Sequence, residues 1–106
     1  MLGGAWKMQP EIWIGTVEIS FTDPDKPNHV EHAFTVITTW ASSFEEFNQK
    51  CVQMLESHGW KLLSIEVANP VPQGVVFSDE VEDMLERTRV NEAAIIYGTF
   101  HTYPVM

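Results

Sequence analysis

Four stretches of the 106-residue chain alternate with period two and carry apolar side chains on both faces, whereas only two segments show helical spacing. A strand that is apolar on both sides needs cover on both sides. Two short helices can shelter one face of a four-stranded sheet, so the other face is expected to meet a second copy, a ligand or a partner.

The first run, Ile12 to Thr22, places Trp13, Val17, Ile19 and Phe21 on one side and Ile12, Ile14, Thr16, Glu18 and Ser20 on the other. Asp23-Pro24-Asp25-Lys26-Pro27-Asn28 then reads as a turn, because proline lacks a ladder donor and Asx side chains favour turns. A second run from Val30 to about Trp40 sets Phe34, Val36 and Trp40 against Ala33, Thr35 and Ile37, and the two runs together predict an antiparallel hairpin.

The next segment carries the marks of a helix. Ser42 and Ser43 are each followed three residues later by a glutamate, the capping-box spacing. Phe44, Phe47, Cys51, Met54, Leu55 and His58 recur at three- and four-residue steps, and Gly59 supplies a left-handed stop. Beyond Trp60, Lys61–Ala68 reads as a third strand with Leu63, Ile65 and Val67 inward, expected to run parallel to the second after a crossover. The proline-rich 69–74 segment reads as a loop. Val75-Val76-Phe77 reads as a short edge strand or as the lead into a second helix, capped by Ser78 and ending near Arg89 with a stripe of Val81, Met84 and Leu85. Acidic residues at its start and Arg87 and Arg89 at its end suit the helix dipole. Ala93–Tyr103 reads as one continuous final strand with Tyr97, Thr99, His101 and Tyr103 on a common side.

This order, ββαβαβ, predicts a single α+β domain over 1–106: a two-layer sandwich with a mixed four-stranded sheet and both helices on one face, ferredoxin-like in layout. Residues 1–9 are expected to form a loosely ordered N-terminus, without the basic start and apolar stretch of a signal peptide. The exposed sheet face is expected to carry Ile12, Ile14, Ile37, Leu62, Ile96 and Phe100.

The net charge of −9 argues against a nucleic-acid partner, whose phosphates need clustered cations, and admits a basic protein. No stretch reaches the ~18 apolar residues of a membrane span. One cysteine, Cys51, excludes an internal disulfide and fits a cytoplasmic setting; its helical position marks it as a small core residue rather than a nucleophile.

No catalytic, cofactor or metal motif stands out. His29 and Glu31 share a strand side but His32 points away, so three metal ligands do not converge there. His58 is placed to bond the last carbonyls of its helix, and Trp60 to pack back on it. Tyr97, His101 and Tyr103 are the most chemical-looking set, since a histidine between hydroxyl bearers can move a proton when it faces a pocket, with Glu66 to orient it. The primary expectation is an acidic protein-interaction domain that is homodimeric through a sheet face. The alternative is a small-molecule-binding or enzymatic domain of the dimeric α+β barrel kind, with Tyr97, His101, Trp40 and Trp60 lining its pocket.

Overall fold

The computed structural model describes residues 9–26 and 28–103, so nearly all of the expected N-terminal tail lies outside the described residues. The chain forms an α+β fold in the order β1 (Glu11–Thr22), β2 (Val30–Ala41), α1 (Phe44–Ser57), β3 (Lys61–Pro70), α2 (Asp79–Arg89), β4 (Ile95–Tyr97) and β5 (His101–Tyr103). The hairpin forms as the sequence implies, with Glu11 opposite Ala41 and Thr22 opposite Val30.

The sheet order is β3-β1-β2-β4, with β5 also paired to β2, and every described pairing is antiparallel. The expectation of a mixed, ferredoxin-like sheet is therefore corrected. Strands β2 and β3 do run the same way, but β1 lies between them, so α1 carries the chain across β1 rather than to an adjacent parallel position.

Helix α1 is fixed at both ends by its local sequence. The Ser43 side chain accepts the Glu46 amide at 3.1 Å, and the Glu46 carboxylate accepts the Ser42 amide at 2.6 Å. At the other end Gly59 has φ +78°, the Trp60 amide donates to the Leu55 carbonyl at 2.9 Å and the Gly59 amide to the Glu56 carbonyl at 2.9 Å. That pair of bonds is the Schellman arrangement and consumes two carbonyls the helix leaves open. The ring of His58 meets the Met54 carbonyl through Nδ1 at 3.0 Å, as its position implies.

The two faces of the sheet are covered by different helices. Phe47, Cys51, Met54 and Leu55 of α1 are buried with Trp13, Val17, Ile19, Ala33 and Ile37, all of one sheet face. Full burial of each large apolar side chain contributes about 1.5–3 kcal/mol. Helix α2 lies on the opposite face, because its buried Thr88 bonds the Thr38 hydroxyl at 2.8 Å and accepts the Trp40 indole N–H on its carbonyl at 2.7 Å. Thr38 and Trp40 stand on the side of β2 that shares register with Ile14 and Ile12. The Thr88 hydroxyl gives its proton to the Met84 carbonyl, so Thr38 donates to Thr88. The placement of both helices on one face is corrected accordingly. The reason is the 71–77 segment, which carries the chain past the end of β1 (Val71 amide to Ile12 carbonyl, 2.9 Å) and onto the second face.

Bulges change which side chains share a side. In β3 the register against β1 shifts twice, leaving Glu66 and Leu63 unopposed. Leu62, Ile65 and Ala68 consequently pack against the α1 core, while Val67 is 57% exposed. The inward set Leu63, Ile65, Val67 holds only for Ile65. The final strand is interrupted as well: Tyr97 pairs with Ile37 and His101 with Phe34, so four residues of one strand span three of the other. Of the expected exposed apolar set, Ile12, Ile14 and Ile96 lie on the second face, whereas Ile37, Leu62 and Phe100 belong to the α1 core. No strand forms over Val75–Phe77, which leads into α2. Among the described residues no helix is long and apolar enough to cross a membrane.

Gly15 leaves the space that the Phe47 ring of α1 occupies against the sheet. A Cβ there would stand 2.6 Å from Cζ of Phe47 and 2.9 Å from the Val67 carbonyl. Gly15→Ala is expected to lower stability by about 1–3 kcal/mol through overpacking. Urea melts check this, and trimming the ring in a Gly15→Ala/Phe47→Leu double variant should remove part of the penalty if the clash is its cause.

Candidate functional site

The four residues expected to line one pocket fall into three places. Tyr97 and Trp60 meet on the α1 side of the sheet, ring centroids 5.3 Å apart and perpendicular. His58 stacks on Trp60 at 4.4 Å, and Phe100 lies 5.0 Å from Trp60. This aromatic cluster closes one end of the α1 core, with Tyr97 38% exposed. Trp40 is on the other face, its indole N–H committed to Thr88. His101 is also there, exposed and beside Glu80. Tyr97 and His101 thus lie on opposite faces, separated by the interruption at 98–100; Glu66 bonds Ser64 rather than His101.

Two features on the second face carry more chemistry. The first is a contact between α2 and the interruption. The Glu80 carboxylate accepts the Thr99 hydroxyl and, at 3.4 Å, the Thr99 amide. These bonds, with the nearby His101, hold its carboxyl below the ordinary carboxylate value.

The second is an open cleft of about 410 Å³ where α2 stops covering the sheet. Ile14 and Val36 form its floor, Val67 one side, and Pro72 and Phe77 of the 71–77 segment the other. Thr16 and Asn69 bring polar groups to an otherwise apolar lining. Beyond Thr16 and Val36 the same face turns polar: Glu18 stands opposite Phe34 and Ser64, with His32 Nδ1 3.7 Å from the Glu18 carboxylate. A second groove of about 300 Å³ runs beside β4, but its one charged lining residue, Arg87, is already paired with Asp83 at 3.4 Å.

Sequence reasoning identified Ile14 and Glu18 as residues of the face away from Trp13, but it did not assemble the cleft. The available signal was Phe77 with Pro70 and Pro72, an aromatic residue at the end of a stiff segment too short to leave the sheet. Among the described residues no group of three His, Cys, Asp or Glu side chains converges as a metal site. Burial pushes the Cys51 thiol up to about 12, which keeps it protonated and unreactive at neutral pH. No known protein family, curated protein or solved structure matches the chain.

The Glu80 contact gives a signed pH dependence. A carboxyl whose folded value is depressed stabilises the fold fully above its ordinary value of 4.5 and loses that contribution as pH falls through the lower folded value. Glu80→Gln should therefore lower stability at neutral pH and flatten the acid limb, the two proteins converging as pH falls through the folded value of Glu80. Urea midpoints measured from neutral to acid pH check this, and an acid limb as steep as the wild type's would refute it.

Proposed function

We propose that the protein is a binding domain whose cleft on the second sheet face takes up a small, largely apolar molecule. The carrying observation is the cleft itself. Its volume of about 410 Å³ lies within the range of small-molecule sites, roughly 300–1,000 Å³, and its lining is apolar with two polar groups to orient a ligand. The location supports this reading, because floor and walls come from three regular elements and a proline-stiffened segment. The buried, protonated Cys51 suits a reducing, cytoplasmic setting.

Nile red, an uncharged dye that brightens in apolar surroundings, tests the site. Binding with a blue-shifted emission is expected, and Val67→Trp should abolish it by filling the mouth. Because Val67 is largely exposed, that substitution should leave the unfolding free energy from urea melts within about 0.5 kcal/mol of wild type. Absence of dye binding, or binding indifferent to Val67→Trp, counts against the cleft. A cognate metabolite at a hundred times its dissociation constant adds about 2.7 kcal/mol to stability and is identifiable by thermal shift.

A second reading, homodimerisation across the same face, is favoured by exposed aliphatic residues on the cleft wall and in the segment that leads into α2. Val67, Val75 and Val76 are 57%, 49% and 89% exposed, and a second copy would remove them from water. Light scattering at increasing concentration is expected to show a dimer that Val76→Glu converts to monomer; a wild type monomeric throughout rejects it. The acidic balance of the chain also suits a basic protein partner, on charge alone.

A further inference from the structure

We infer that the ligand of the cleft carries a cationic nitrogen at one end of its apolar body and that Glu18 receives it. The inference rests on the cleft being a ligand site and names the chemical class that the site prefers. Glu18 is the next residue on the same side of β1 after Thr16, which lines the cleft, so its carboxylate stands about 7 Å further along the strand. Its side chain is only 22% exposed.

The partners of Glu18 are distant for a carboxylate in that position. Ser64 Oγ is 3.4 Å from one oxygen, and His32 Nδ1 is 3.7 Å from the other, beyond hydrogen-bond reach. A serine hydroxyl has one proton, and that of Ser64 lies closer to Glu66, at 2.7 Å. Lys61 is further along the face, opposite Ser20, and makes no ion pair with Glu18. A partly sheltered carboxylate without a short charge-assisted bond gains more from an incoming N–H⁺ than from a neutral donor. An anion would instead meet both Glu18 and Glu66.

Phe34 strengthens the same preference, since it is the direct register partner of Glu18 across β1 and β2. An aromatic residue across the strand from a carboxylate suits an alkylammonium, whose carbon chain favours apolar surface and whose charge favours the carboxylate. Floor, ring and carboxylate follow one another along two adjacent strands. The geometry matches a molecule whose hydrophobic part fills the cleft and whose amine extends along β1.

Titration calorimetry with phenylbutylamine, phenylbutanol and phenylbutyrate separates the components, as the three share a body and differ in charge. The amine is expected to bind about tenfold more tightly than the alcohol, and the acid more weakly than either. Glu18→Gln should bring the amine to the affinity of the alcohol while leaving the alcohol unchanged. Glu45→Gln removes the same charge from the exposed start of α1 and should preserve the preference, which distinguishes a local contact from general attraction to an acidic chain. Equal binding of amine and alcohol by the wild type, or a preference that survives Glu18→Gln, overturns the inference and leaves the cleft reading standing. If none of the three compounds binds, the cleft reading falls and the inference falls with it.

Discussion

The position of α2 depends on a small polar junction. Thr88 is fully buried, and its hydroxyl and carbonyl together engage Thr38, Trp40 and Met84. A buried hydroxyl or indole N–H left without a partner costs about 1–3 kcal/mol, so these groups favour one seating of the helix over neighbouring ones that apolar contact alone would tolerate. With the C-terminal half of α2 pinned over Thr38 and Trp40, its N-terminus and the segment before it lie over the other end of the strands. The cleft is the space between that segment and the sheet.

The two faces are organised on different principles. The α1 face is a mainly apolar core, where Phe47 rests on the bare backbone of Gly15 and Leu55 and Cys51 are fully enclosed. The α2 face grades along the strands from Ile12 and Trp40, through Ile14, Thr38 and Val36, to Glu18 and His32. That surface leaves its middle residues, Ile14 and Val36, half sheltered by the protein itself. It offers the proposed ligand one contiguous track of apolar and charged groups.

Much of the fold was legible because local chemistry decides it. The hairpin follows from alternation with a proline-Asx turn, and α1 follows from Ser43, Glu46, the three-four stripe and Gly59. The parts that were not legible depend on single inserted residues. One extra residue at 98–100 turns Tyr97 and His101 to opposite sides, and two in β3 exchange Leu62 for Val67 as an inward group. Period-two reasoning has no means of locating such insertions, since a bulge is fixed by the partner strand rather than by the residues on either side of it. The placement of α2 was hidden for a related reason: its stripe of Met84, Leu85 and Thr88 fits either face, and only the pairing of Thr88 with Thr38 distinguishes them.

Strand β3 forms one rim of the sheet, where among the described residues no strand pairs with its outward N–H and C=O groups. Such a rim ordinarily invites another chain to continue the ladder. Here the two irregularities disrupt the even spacing a docking strand would need, Lys61 places a charge at one end, and Pro70 withholds a donor at the other. The features that confound a reading of the sequence thereby guard the folded protein against edge-on polymerisation, even with Leu63 and Val67 turned toward water.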